Sequence, residues 1–532
     1  MMKKALVALL LLVSLVGYAQ TKLYLKGNIV TSPILLEQVE DQVWQSEVTL
    51  DDSRVFLFSD KYVYFEADEP SYKSNNIRIN GGTYTVRFDM KNKAWSFTAP
   101  VDANRISAFG SSVCNGTGAS GNKGYAYLYG EQLKSRFNSN DSQTPFYVSG
   151  IAIGGNTTND LLNRYAEMTR DHARYVIIGL SMGNEGIHGA ADQQKIFNQF
   201  ANNMQLLIRK IKADGKIPVV MNNYTRADYT DQDYSYIKQM NLLIHSWDVS
   251  SVNTLGAIDD GKGHWATGYK DDDYHPTTAG HQEFLYAMTP SLFDAIASGK
   301  SQPVRNTTAA MQLGQGDVIS FQGEGTVHPF TISLRVKGGK AGRLLTLKAT
   351  RGSREGNLTV NAEGKVVYTS MYGDQMTADA SINDDQWHTI TLTHYYAQRR
   401  VLLYVDNKSV EATERINTQF AAIVGDSTSQ VSRQFSELFF WRSAFCPEEV
   451  EQLTAGKMLK SSLELYVPMV AADQLENKAM SLNTVNFVSK QTTGIRPAVK
   501  TIAPTRRYDL SGRAVNTKQK GIIVQNGRKY VL

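Results

Sequence analysis

Hydrophobic and polar positions fall into three regimes along the chain. From about residue 21 to 100, apolar and polar residues alternate in short runs at 22–27, 54–58, 62–65, 83–89 and 94–97. Period-2 alternation rich in aromatic and β-branched residues, broken by turns such as Asn80-Gly81-Gly82, predicts a small antiparallel β-sandwich over 20–104. From 105 to about 300 the pattern changes. Residues 174–180 form a continuous apolar run suited to a strand covered on both faces. Residues 195–213 place Phe200, Met204, Leu207, Ile208 and Ile211 on one helical face, Asp214-Gly215 ends that helix, and 217–221 begins another strand. Repeated strand–helix–strand units predict a parallel sheet with helices on both sides, whose ligand crevice lies beyond the carboxyl ends of the strands. After a polar link at 298–306, alternation returns at 330–336, 389–393 and 401–406 and predicts a jelly-roll sandwich over 307–470.

At 532 residues the chain is too long for one core, in keeping with several domains. Its formal charge of +5 comes from dispersed residues and carries no electrostatic footprint for nucleic acid. Lys3 and Lys4 precede an apolar run ending in Gly17-Tyr18-Ala19, which reads as a secretory signal peptide over 1–19. That run is too short to span a bilayer, so the mature protein is expected to be exported, without a membrane span, to the periplasm, cell surface or medium. The two cysteines, Cys114 and Cys446, fall in different domains and are not expected to pair. Cys114 reads as a packing thiol rather than a nucleophile. Oligomeric state has no signal in the sequence.

Candidate chemistry clusters in four loops that each follow a predicted strand. Gly110-Ser111-Ser112 turns sharply after the apolar Ile106, Ala108 and Phe109. A serine held there, beside free backbone N–H groups, stands where a hydrolase places its nucleophile. Gly154-Gly155-Asn156-Thr157-Thr158 precedes a helix that begins at Thr157 or Thr158, and Ser181-Met182-Gly183-Asn184-Glu185 follows the apolar strand. Asp271-Asp272-Asp273-Tyr274-His275-Pro276 leads into a helix through Phe284 and Leu285. Each block alone is an ordinary loop or cap.

Together, in this order, the blocks resemble the SGNH/GDSL hydrolase family over about 105–299. The resemblance implies a three-layer, flavodoxin-like α/β domain with Ser112 as nucleophile, Asp272 and His275 completing the triad, and Ser112, Gly155 and Asn184 as the oxyanion hole. Asp271 and Asp273 compete with Asp272, but only Asp272 has the family's spacing to His275. His245, His264 and His281 are further candidate bases, His281 reading as a structural histidine inside the next helix. Ser111 and Glu185 stand where the family commonly has Asp. No metal or other cofactor is called for, because the nucleophile is a side chain.

The flanks carry resemblances of their own. The opening Leu23-Tyr24-Leu25-Lys26-Gly27 and the stretch from Tyr84 to Asp89 are similar to β-sandwich modules of Bacteroidetes polysaccharide-binding proteins. Asp385-Gln386-Trp387-His388, Tyr404-Val405-Asp406-Asn407 and Phe439-Phe440-Trp441, with a helix over 447–456, resemble laminin-G-like, concanavalin-A-type domains. Within the 471–532 linker and β tail, the stretch from Arg506, with a hairpin turn at Asn526-Gly527, resembles type IX sorting signals. The expectation is a multidomain, secreted serine esterase that removes acyl groups, acetyl above all, from a polysaccharide or glycan. A lipase, thioesterase or aryl-esterase of the same family is the alternative within enzymes. A non-catalytic glycan-binding adhesin on the same fold is the alternative outside them.

Overall fold

The parallel sheet expected at the centre of the chain has five strands: β1 (Asp102–Gly110), β2 (Tyr147–Gly150), β3 (Ala173–Gly179), β4 (Ile217–Met221) and β5 (Ser250–Val252). A computed structural model describes residues 21–51, 61–69, 71–414, 419–428 and 431–489, and the backbone of four strands within 507–531. The sheet order is β2-β1-β3-β4-β5, every pair parallel. That doubly wound order reverses direction between β1 and β3, which fixes where a crevice opens.

Alternate residues of the strands feed two cores. Ile106, Ala108, Tyr175, Ile177 and Val219 pack under helices α1 (Tyr125–Asn138), α7 (Thr278–Tyr286) and α8 (Leu292–Ala297). Phe109, Val176, Ile178 and Val220 pack under α2 (Thr158–Asn163), α3 (Tyr165–Arg170), α4 (Gln193–Ala213) and α5 (Asp231–Ser246). A short α6 (Leu255–Ile258) follows β5. All five apolar residues expected on the inner face of α4 are buried. The three-layer α/β architecture flanked by all-β domains is thus present.

The N-terminal module is a single antiparallel sheet of seven strands, in the order 77–78, 62–67, 23–27, 34–40, 43–50, 82–89, 94–98. Strand 34–40 pairs with 23–27 through its first half and with 43–50 through its second. The sheet folds on itself there, bringing Phe65 and Phe88 into a stack with centroids 4.5 Å apart. The expected sandwich is therefore one folded sheet rather than two separate ones. The strand expected at 54–58 lies outside the described residues, as do the leader at 1–19 and the Asn526-Gly527 turn.

Beyond the parallel-sheet domain, two seven-stranded antiparallel sheets close over a common core that includes Ile332, Leu334, Leu347, Leu392, Phe420 and Phe440. Strand 486–488 joins the second sheet by pairing with 318–322, so this sandwich runs past the boundary expected at 470. A strand of three residues is too short to show a period of its own. Residues 507–531 contribute four short antiparallel strands that form a separate unit.

Both flanking domains within 21–488 join the parallel sheet through buried polar groups. At the amino end of β3, the Asp171 carboxylate accepts from Asn80 Nδ2 (2.5 Å) and Ser149 Oγ (3.2 Å) and pairs with Arg105 (3.2 Å), which also donates to the Gly81 carbonyl. Along the edge strand β5, the Ser462 amide donates to the Ser251 carbonyl (2.9 Å) and Ser462 Oγ accepts from the Asn253 amide (2.8 Å). Asp171→Ala strands the Arg105 guanidinium in a buried site, and breaking one partner of such a pair costs about 3–5 kcal/mol. The expected outcome is a lower urea midpoint for the variant; an unchanged midpoint would show that the junction contributes nothing to stability.

Candidate active site

The turn after β1 places Ser112 at the reversal point of the sheet. The Ser111 amide donates to the Gly179 carbonyl at the end of β3 (3.1 Å), so the ladder runs one residue beyond β1 before the chain turns. Cys114 is buried beneath this turn, and burial, partly offset by a hydrogen bond with Tyr125, pushes its thiol up to about 11. It is a packing thiol, and both cysteines are free.

The structure brings Ser112, His275 and Asp272 into one hydrogen-bonded line. Ser112 Oγ lies 2.9 Å from His275 Nε2, across 163 residues of chain. His275 Nδ1 lies 2.9 and 2.8 Å from the two Asp272 oxygens. Asp272 Oδ1 also accepts from the amides of Tyr274 (2.7 Å) and His275 (2.8 Å). Burial opposes ionisation, but the bonds from the His275 side chain and these amides hold the Asp272 carboxyl below its usual range. A charged Asp272 fixes the Nδ1–H tautomer and leaves Nε2 free to accept from the serine.

The loop carrying this pair is anchored on both sides. The Asp273 carbonyl accepts from the Ala227 amide (2.9 Å) and Trp265 Nε1 (3.3 Å), and the Asp271 amide donates to the His275 carbonyl (3.0 Å). Asp273 pairs with Lys270 (2.6 Å), so it faces away from the imidazole. The rival histidines are occupied elsewhere. His245 is buried against Glu449, His264 bonds the Tyr229 carbonyl, and His281 bridges the Tyr125 amide (3.2 Å) and the Thr117 carbonyl (2.9 Å).

Gly155 and Asn184 lie on the loops that follow β2 and β3, the strands flanking β1. Gly154 lies against Ser112, its notional Cβ 3.7 Å from Ser112 Cβ, and Gly155 adopts φ +77°, a region glycine enters freely. Among the described residues, the amides of Ser112 and Gly155 donate to no protein group. Asn184 Nδ2 donates one proton to the Asn156 carbonyl (3.1 Å), which ties the second loop to the third.

Three further residues build this arrangement, and two of them, Arg164 and Arg226, escaped the sequence reading. Arg164 donates to Asn156 Oδ1 (2.6 Å), to the Ile151 carbonyl (2.7 Å) and to the Gly110 carbonyl (3.3 Å), with its guanidinium 4.7 Å from the Phe109 ring centroid. It thereby clamps the ends of β1 and β2 to the Gly155 loop. Glu185 accepts from the Thr158 amide at the start of α2 and from Gln199 (3.3 Å), and burial raises its carboxyl despite these bonds. Arg226 lies over Gly183 and against Tyr274, held by a bidentate pair with Asp228 (3.0 and 2.8 Å). An arginine just past the end of α2 and another in the loop between β4 and α5 carry no pattern of their own; only Glu185, in the slot of a family Asp, had a sequence signal.

Residues 108–283 match the model of the GDSL-like lipase/acylhydrolase family. No curated protein matches the chain significantly. Among solved structures, a mutant of Axe2, an acetyl-xylooligosaccharide esterase from Geobacillus stearothermophilus, is similar at 17% identity, covering 36% of this chain and 94% of that one, with a TM-score of 0.29. A lipolytic protein of the G-D-S-L family from Desulfitobacterium hafniense is similar at 13% identity, covering 35% and 97%, with a TM-score of 0.29. A pentraxin from Limulus polyphemus is similar at 12% identity, covering 36% and 100%, with a TM-score of 0.26.

Burial, opposed by the bond to the Thr117 carbonyl, lowers His281 to about 4 from 6.5. The folded protein therefore binds a proton there later than the unfolded chain does. Its contribution to stability is complete above about 6.5 and is lost as pH falls toward 4. NMR titration is expected to show the His281 ring neutral at pH 5.5, and His281→Gln is expected to flatten the acid limb of the stability curve.

Proposed function

We propose that the protein is an exported serine ester hydrolase that removes acyl groups, acetyl above all, from a polysaccharide or glycan. The observation that carries the reading is the hydrogen-bonded line from Ser112 through His275 to Asp272, set where a doubly wound sheet opens its crevice. The family match over 108–283 supports acyl-ester chemistry. The two β-rich neighbours, with their resemblance to carbohydrate-associated modules, support a glycan as the alcohol part. The leader-like stretch at 1–19 supports export.

In this reading Ser112 Oγ attacks the ester carbonyl carbon while its proton passes to His275 Nε2. The Asp272 carboxylate stabilises the imidazolium that forms. The carbonyl oxygen, now an oxyanion, takes hydrogen bonds from the Ser112 and Gly155 amides and from the second Asn184 Nδ2 proton. When the tetrahedral intermediate collapses, His275 returns the proton to the departing sugar oxygen. Water, deprotonated by His275, then releases the acid from Ser112 and restores the serine.

Purified protein is expected to hydrolyse p-nitrophenyl acetate, with Ser112→Ala reducing kcat by about 10⁴-fold or more. Asn184→Ala is expected to cost about 10²- to 10³-fold in kcat with little change in KM, since the oxyanion exists only beyond the ground state. Equal rates for Ser112→Ala and the parent protein would end the catalytic reading in favour of a binding protein. Acetate release from acetylated xylan, pectin or sialic acid, set against long-chain esters, tests the substrate class; a preference for the long chains would favour a lipase.

A further inference from the structure

We propose that Tyr274 is the platform on which the sugar bearing the ester stacks. This inference rests on the carbohydrate-ester reading above and assigns it a subsite. His275 must deliver its proton to the leaving oxygen, so that oxygen lies within hydrogen-bond reach of Nε2. The acyl carbonyl oxygen points the other way, toward Gly155 and Asn184. The alcohol half of the substrate therefore projects on the His275 side of Ser112.

Tyr274 stands on that side. Its ring centroid is 6.4 Å from that of His275, nearly edge-on at 84°, and the side chain is 49% exposed. Phe137, Leu206 and Tyr274 are the exposed large apolar side chains among the described residues of the hydrolase domain. Phe137 lies in α1 and Leu206 in α4, whereas Tyr274 lies on a loop at the carboxyl rim. The ring is also held in place. The Arg226 guanidinium sits 4.2 Å from its centroid, Asp228 grips that guanidinium with two bonds, and the Tyr274 amide donates to the Asp272 carboxylate. One face of the ring is thus backed by a fixed cation, while the residue keeps about half of its surface exposed. A pyranose ring presents flat C–H faces that pack on such a surface, and a platform that does not move on binding loses little entropy.

The test compares glucose pentaacetate with ethyl acetate, whose alcohol has no ring to stack; p-nitrophenyl esters are avoided because their own ring could stack. For Tyr274→Ala, kcat/KM on glucose pentaacetate is expected to fall about tenfold more than on ethyl acetate, chiefly through KM. Tyr274→Phe, which keeps the flat face, is expected to retain the parent ratio of the two substrates. Tyr274→Leu, which covers Arg226 without a flat face, gives the same answer as alanine if the alanine variant unfolds. Equal losses on both esters, or a fall carried by kcat alone, would overturn the stacking role while leaving the esterase reading intact. A parent protein that cleaves ethyl acetate but no sugar acetate would overturn the carbohydrate reading and the platform together.

Discussion

Gly110 and Gly179 sit side by side at the ends of β1 and β3, and the site depends on how closely they approach. A Cβ on Gly110 would stand 2.2 Å from the Gly179 carbonyl oxygen and 2.7 Å from Cys114 Cβ. One on Gly179 would meet Tyr125 Oη at 2.6 Å and Cys114 Sγ at 2.8 Å. The room left by two missing side chains is filled by Cys114, so the turn bearing Ser112 lies flat on the sheet. Any side chain at either position would force the strands or the turn apart. Because the chain leaves β1 toward one side of the sheet and β3 toward the other, the loops diverge from this contact and open a crevice around the serine.

Converging loops need ties, since none of the four blocks is long enough to hold itself. Each tie is a polar group with limited exposure whose bonds are spent on backbone of another loop. Arg164 is the most demanding. Its planar fork reaches Asn156, Ile151 and Gly110 at once, which a single ammonium on a flexible stem could not do in fixed geometry. Asn223 does similar work, accepting from the Met182 amide (2.7 Å) while its own amide donates to Asn241 (2.9 Å). Donors fixed in this way do not reorganise when charge develops near them, which is the condition for electrostatic stabilisation of an oxyanion.

The sheet and its main helices were legible because their periodicity is strong and local. Residues 174–180 and the inner face of α4 could hardly be read otherwise. Ser112, Asp272 and His275 were read for a different reason, the resemblance of ordered blocks to one family; their coming together in space is a property of the fold that no single block encodes. Strand 34–40 was missed because it changes partners halfway and leaves Leu35 and Val39 exposed, so its alternation does not track one buried face. Strand 147–150 is too short to show a period. Arg164 and Arg226 were missed because a buried arginine's meaning lies wholly in its partners, and these lie as far as 54 residues away in sequence.

A parallel sheet has two edges, and an uncovered edge strand invites pairing. Here Ser462 supplies a backbone bond to the outer strand β5, and the buried cluster of His245, Glu449, Asn253 and Ser461 welds that edge to the sandwich. Arg442, fully buried, donates to the carbonyls of Tyr286, Glu324 and Thr326 and pairs with Glu464, so α7 is fastened as well. Removing the sandwich would give up these bonds and return the polar groups of His245, Asn253 and Ser251 to water. A module on a free tether would carry no such obligation. The sandwich is therefore bonded into the edge of the parallel-sheet domain, and any role in binding glycan is built on a domain docked there.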